Sequence, residues 1–253
     1  MSRVQVIERA FSVLAALGDG PLGVTGVADR VGLPKSTVAR LLAALVAEGA
    51  VEQVDTGTDY RIGNRLVTLA AGVVPIRSLI ALARPHLAAL AAATGEATGL
   101  SIPDGALVHY VDHEDSGHAV GVRDWTGTRF PLHTVSAGIV LLAHRRPDEV
   151  ERFLASPLER LTPATMTDPA RLRERIARAR ADGYAWTRDE VAEGISSVAA
   201  AVADATGEVV AAVHVHGPTY RFPDPGRPSA AAEVQDRVIA AAAATSASLR
   251  RAR

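Results

Sequence analysis

Along the N-terminal region the apolar positions recur three times at helical spacing and then switch to short alternating runs. In "VIERAFSVLAALGDG" they fall at Val6, Ala10, Val13, Leu14 and Leu17, one face of a helix, and Gly18 and Gly20 end the run. "VTGVADRVGL" is a second, shorter helical stretch closed by Gly32. "PKSTVARLLAALVAEG" is a third. Its Val38, Leu41, Leu42, Leu45 and Val46 take the i, i+3, i+4, i+7, i+8 positions, with Pro34 suited to the start and Gly49 to the end. "AVEQV" and "DYRI" then read as short strands about the turn Asp55–Thr58. Three helices and a hairpin predict a winged helix-turn-helix domain over 1–63. "NRLVTLAAGVV" predicts a linker helix over 64–75, with Pro75 as its break.

From 76 to 253 the pattern mixes periods. "SLIALARPHLAALAAATG" is helical. "ATGLSI" and "ALVHYVD" read as strands around the turn Pro103-Asp104-Gly105, and "HAVGVRD" as another. "VSAGIVLLAH" is a short apolar helix, and "DPARLRERIARARADG" an amphipathic one started by Asp168 and Pro169. "SVAAAVAD" and "EVVAAVHVHG" are strands joined by "ATG", and a long helix closes the chain. Hairpins interrupted by helices predict an α+β domain with a mainly antiparallel sheet.

Composition narrows the chemistry. The 253 residues are 48% hydrophobic but only 4% aromatic, so the core is built of Ala, Val and Leu. The absence of cysteine excludes disulfides, thiolate metal sites and a cysteine nucleophile. "MSRVQVIERAF" is charged at Arg3, Glu8 and Arg9 and does not read as a signal peptide. No uncharged apolar stretch reaches the ~20 residues of a membrane helix, so the expectation is a cytoplasmic protein with no membrane partner. A formal net charge of −1 argues against nonspecific polyanion binding, so any nucleic-acid contact must come from a local patch.

The third helix offers such a patch. Its polar face carries Lys35, Ser36, Thr37 and Arg40, extended by the small Ala43, Ala44 and Ala47; Lys35 is the sole lysine of the chain. A recognition helix needs polar residues at its N-terminus and small side chains that allow close approach to the major groove. Lys35 and Arg40 can reach phosphates or guanine acceptors, Ser36 and Thr37 phosphates or base edges, and Arg61 in the wing the backbone. The competing reading is an ordinary solvated helix face.

A second constellation lies in "AAVHVHGP". Alternation puts Val209, Ala211, Val213 and Val215 on one face of the strand, and Val210, Ala212, His214 and His216 on the other. The second face turns polar toward its end, as expected of a cavity lip with a few fixed hydrogen-bonding groups. Three other readings stand beside ligand binding. A metal site would need further donors, for which "DHEDSGH" supplies candidates, though a solvated hairpin is the simpler role for it. Catalysis by Ser136 or Ser197 with His214 as base would need a nucleophile elbow, and there is no G-x-S-x-G. Two half-buried histidines filling space is the plainest alternative.

"VADRVGLPKSTVARLLAALVAEGAVEQV", "DYRIGNRLVTLAAG", "GTRFPLHTVSAGIVLLA", "LTPATMTDPARLRERIARARADGYAWTRDEVAEGISSVAAAV" and "GEVVAAVHVHGP" together resemble the IclR family of bacterial transcriptional regulators, in the order expected. The resemblance implies a winged helix-turn-helix, a linker helix and a GAF-like effector domain over 76–253. It implies a homodimer, often paired as a homotetramer on double-stranded operator DNA, with a small organic effector such as a carboxylate or aromatic acid; with no nucleophile elbow or further site evidence in the sequence, no enzymatic activity and no cofactor are expected. Repressors and activators both occur. It places the effector pocket at Trp125, Phe130, Ser136, Ala137, Thr187, Ile195, Ser197, His214 and His216. Three positions depart from the family's habit: Ile139 where lysine is frequent, Thr187 where acid-binding relatives can carry an acidic or polar group, and histidine at both strand positions where small hydroxyls are common.

Overall fold

The computed structural model of the chain describes residues 3–54, 57–70, 76–119 and 121–252. The chain divides into two compact units, Met1–Val74 and Pro75–Arg253.

In the first unit, helices α1 (Arg3–Ala16), α2 (Val24–Val31) and α3 (Lys35–Ala47) enclose a core of Val13, Leu17, Val27, Val38, Leu42 and Val51. Gly32 ends α2 in the left-handed region, at φ 66°. The two expected wing strands are β2 (Val51–Gln53) and β3 (Asp59–Ile62). A third strand, β1 (Leu22–Gly23), precedes α2 and pairs with β3, giving the order β1-β3-β2. Two residues are too few to leave a periodicity in the sequence. Asp55 and Thr56 of the expected turn lie outside the described residues. The expected linker helix is seen as α4 (Asn64–Ala70), and its remainder to Pro75 also lies outside them. One expectation for α1 is corrected: Val6 is 40% exposed, and Ile7 and Phe11 are more so, so only the C-terminal half of the helix faces the core.

The second unit opens with α5 (Ile76–Thr94), β4 (Ala97–Asp104), β5 (Leu107–Glu114) and β6 (Arg129–Pro131). A 3-10 turn at Leu132–Thr134 leads into α6 (Ser136–Ala143), then α7 (Pro147–Leu154) and α8 (Pro169–Asp182). The chain ends with β7 (Tyr184–Arg188), β8 (Ile195–Ala203), β9 (Val209–Pro218) and α9 (Ala230–Arg251). The strands form one six-stranded sheet, ordered β6-β5-β4-β9-β8-β7, with every neighbouring pair antiparallel. Helices α5 and α9 pack on one face and α6 and α8 on the other. The fold is therefore α+β.

Helix α5 is long and apolar enough to cross a membrane by length and composition alone. Here its Leu79, Ala83, Leu87 and Leu90 pack inside the unit, and its Arg84 binds Asp112 of β5 at 3.0 and 3.1 Å. The expected strand "HAVGVRD" is not formed: its described residues are loop, and the strand beside β5 is the short β6. Helix α7 was also not expected. It starts at Pro147 and is anchored by the Glu149 carboxylate, which accepts a hydrogen bond from the Arg146 backbone N–H.

Two β-bulges re-aim side chains. Between β4 and β5, Leu100 pairs with Asp112 and Ser101 with Tyr110, leaving Val111 as the extra residue. Between β8 and β9, Val202 pairs with Ala211 and Ala203 with Val209, leaving Val210 extra. The second bulge corrects the simple alternation of β9. Val209 packs with Ala212 on the α6 side, not with Val213 and Val215.

Candidate functional site

On the first unit, Lys35, Ser36 and Arg40 are exposed on α3 and Thr37 is half-exposed, while Val38 and Leu42 hold the helix from behind. Ala39, Ala43, Ala44 and Ala47 lie between the polar residues on the outward side. Pro34 stands immediately before the helix rather than as its first residue, and its carbonyl accepts from the Thr37 and Val38 N–H groups. Arg61 is exposed on β3 and donates to Glu52 on β2 at 3.2 and 3.4 Å. Glu52 also accepts from the Asn64 backbone N–H, and these two bonds hold its carboxyl below the usual range. Arg61 is therefore oriented by the wing, with part of its charge already offset.

On the second unit, sheet register brings the remaining candidates into rows on the α6 face. Thr187, Ser197, His216 and Ala97 are successive cross-strand partners. Ala185, Ala199, His214, Gly99 and His113 form the next row, and Ala201, Ala212, Ser101 and Tyr110 the third. The imidazoles are flanked by Ala97, Gly99 and Ala199, which leave them room. At Gly99 the fit is tight: a Cβ there would stand 2.5 Å from His214 Nε2.

The helix α6 closes the site from above. Ser136 Oγ lies 2.7 Å from Ser197 Oγ. Ala137 is fully buried. Gly138 allows α6 to rest on the preceding turn, since a Cβ at that position would sit 2.0 Å from the Leu132 carbonyl oxygen. This is a steric reason for the glycine in "PLHTVSAG". His133 of that stretch is structural: its Nε2 lies 2.8 Å from the Glu159 carbonyl oxygen.

Rings complete the enclosure. Trp125 stacks on His216 with centroids 5.4 Å apart, and His216 on His214 at 5.3 Å. Tyr110 lies 4.5 Å from His214, and Phe130 meets Tyr110 and Trp125 edge-on at 5.2 and 5.3 Å. His214 and His216 are 0% and 1% exposed, so they lie in the interior rather than at a lip. His214 Nδ1 meets Ser101 Oγ at 3.2 Å. Among the described residues, His214 Nε2, both His216 nitrogens and Trp125 Nε1 are buried without a hydrogen-bond partner. Burial, reinforced by His113, holds His216 down to about 3 and His214 well below the ordinary histidine value, so both rings are neutral at pH 7.

Sequence reasoning missed Tyr110, Ser101 and Gly99, and offered His113 only within the candidate metal-donor stretch "DHEDSGH". The His113 side chain is nearly buried. It contacts Asp115 at 3.1 Å and Asp124 at 3.9 Å, and its ring is 5.6 Å from that of His216. Strict alternation puts residues 110 and 113 on opposite faces; the bulge at Val111 puts them on the same one. The rival arrangements weighed from sequence look different here. His214 bonds Ser101, while Ser136 and Ser197 bond each other, so neither of those two serines is paired with an imidazole base. Among the described residues, no group of three or more His, Asp or Glu side chains converges on a metal position.

The family model for the bacterial transcriptional regulator IclR C-terminal region matches residues 71–246, and that for the IclR helix-turn-helix domain matches residues 6–55. The HTH-type transcriptional regulator BhcR of Paracoccus denitrificans is 35% identical, over 94% of this chain and 85% of its own length. The transcriptional repressor IclR of Escherichia coli is 29% identical, over 88% and 83%. An IclR homolog from Microbacterium hydrocarbonoxydans, crystallised with 4-hydroxybenzoate, superposes with a TM-score of 0.63 at 26% identity, covering 97% of this chain and 99% of that one.

Proposed function

Since the chain belongs to the IclR family and is a DNA-binding transcriptional regulator, we propose that Lys35, Ser36, Thr37 and Arg40 read operator DNA and that the ring cluster around His214 and His216 receives a small organic effector. The observation that carries the effector reading is four unpartnered nitrogens, on three side chains at most 7% exposed, gathered under one helix. Buried polar groups in folded proteins are nearly all bonded, and a ligand is the economical partner for four of them in one place. The complex of the Microbacterium relative with 4-hydroxybenzoate supports an aromatic or carboxylate effector.

In this reading residues 1–63 bind DNA, 64–75 link, and 76–253 sense. Arg61 touches the DNA backbone. Trp125, Phe130, Ser136, Ala137, Thr187, Ile195 and Ser197 line the site with the two histidines. Thr187 and Ile195 border it through their register with Ser197 and their place on the same face. The working unit is a cytoplasmic homodimer, itself able to pair into a tetramer. The exposed Ile7 and Phe11, one turn apart on α1, support self-association.

A gel-shift assay with the DNA upstream of its own and adjacent genes tests the first half. Salt-sensitive, sequence-preferring binding is expected, and its absence on every such fragment overturns it. For the second half, His214→Ala and His216→Ala are expected to retain operator binding while losing the response to 4-hydroxybenzoate or to whichever aromatic acid acts on the wild type. Wild-type responses from both return the histidines to a space-filling role.

A further inference from the structure

The effector site is rich in hydrogen-bonding nitrogens and poor in positive charge. Trp125 Nε1 can only donate, and each neutral imidazole offers one donor and one acceptor. Besides burial, the groups acting on the two histidines are His216 on His214, His113 on both, and Asp124 on His216. The element-by-element inventory agrees. Strand β5 contributes His113 and Tyr110, β4 contributes Gly99 and Ser101, β8 contributes Ser197 and Ala199, and α6 contributes Ser136. The loop after β5 contributes Asp115 and Asp124, both on His113. None of these is an arginine or lysine; Arg123 of the loop and Arg129 of β6 are exposed, Arg129 paired with Asp104, and the two carboxylates carry the sign that an acidic ligand would oppose.

The site is built of rings. Trp125, His216 and His214 stack in sequence, and Tyr110 and Phe130 close the edges. Hydrogen-bonding groups stand beside them: His216 is the cross-strand partner of Ser197, whose hydroxyl meets Ser136 at the start of α6. An aromatic acid would bring a ring to this stack and oxygens to its unpartnered nitrogens. Its carboxylate cannot enter such a place alone, because an uncompensated buried charge costs several kcal/mol. A neighbouring imidazole is the group able to supply the missing charge, since an adjacent anion favours its protonated form.

Resting on the reading of this cluster as the effector site, we propose that it takes up a small aromatic carboxylic acid together with one proton, so that control of the operator by that acid strengthens as pH falls. The balance is simple. One carboxylate and one proton leave water, a neutral hydrogen-bonded acid–imidazole pair forms in the site, and no bond between heavy atoms is made or broken.

Isothermal titration of the full chain with benzoate, 4-hydroxybenzoate and the uncharged 4-hydroxybenzamide, from pH 5.5 to 7.5 in phosphate and in Tris-type buffers, tests this. Over the range in which a proton is taken up, the Kd of the acid is expected to rise about tenfold per pH unit. The heats should differ between buffers by the ionisation heat of about one proton, and the amide should show neither effect. His216→Asn, checked for native circular dichroism at the titration temperature, is expected to flatten the pH slope. A flat profile with buffer-independent heats for the acids in the wild type overturns proton uptake while leaving the effector site standing. Failure of both acids to bind overturns the ligand class. Undiminished acid binding by the His214→Ala/His216→Ala variant overturns the site itself.

Discussion

The outward face of α3 and the inward face of β9 treat polar side chains in opposite ways. On α3, Lys35, Ser36 and Arg40 stand in water, so their groups are satisfied before any partner arrives. On β9, His214 and His216 are fully buried, and three of their four nitrogens have no partner among the described residues. The first surface costs the fold almost nothing and can be altered without risk to it. The second carries a desolvation cost of about 1–3 kcal/mol for each orphaned group, which a bound ligand would relieve. DNA reading and ligand reading should therefore separate cleanly under mutation: substitutions on α3 change operator affinity alone, and substitutions under α6 change stability and response together.

The largest expected effect is on α3. Removing both Lys35 and Arg40 as alanines should weaken operator binding by about a hundredfold or more, at about 1–3 kcal/mol per contact, with an unchanged melting curve. A parallel loss of thermal stability would break the separation. Next is Gly99→Ala, which drives a methyl group into His214. Overpacking of this kind costs about 1–3 kcal/mol, read by urea unfolding, and operator affinity below the transition should stay near wild type.

Acid comes third. The folded value of His216 is about 3, against 6.5 for the unperturbed group, so between these values the unfolded chain binds the extra proton. Stability is complete above about pH 6.5 and is lost as pH falls toward 3, by about 2 kcal/mol at pH 5 from this residue alone. His216→Asn should remove that part of the pH dependence in ligand-free protein, and an unaltered dependence would show that other groups control it. The smallest effect belongs to the wing. Arg61→Ala breaks an exposed pair with Glu52, worth at most about 1 kcal/mol, and should weaken operator binding by less than tenfold in the same gel-shift series.

How far each region could be read beforehand follows the same divide. The three N-terminal helices were legible because their signal is local: periodic apolar residues bounded by Pro34, Gly32 and Gly49. The His214–His216 face was legible because alternation holds over that half of β9. What escaped depends on pairing between distant segments. The bulge at Val111 brings His113 and Tyr110 together, and the bulge at Val210 turns Val209 over. Neither has a sequence signature of its own. Strands β1 and β6 are too short to show a period, and Val122 of "HAVGVRD" is buried in a loop that delivers Trp125 rather than in a strand. Even the lip expected for the histidines became an interior site, because the aromatic lid comes from residues some ninety positions earlier in the chain.

The central claim is that operator recognition resides on α3 and not in the histidine cluster. Fluorescence anisotropy of a labelled upstream duplex, titrated in parallel with wild type, Arg40→Ala and His214→Ala/His216→Ala in ligand-free buffer, measures it directly. Arg40→Ala is expected to bind about tenfold or more weakly and the double histidine variant to bind as the wild type does. Equal binding by Arg40→Ala, with the loss falling instead on the histidine variant, would contradict it.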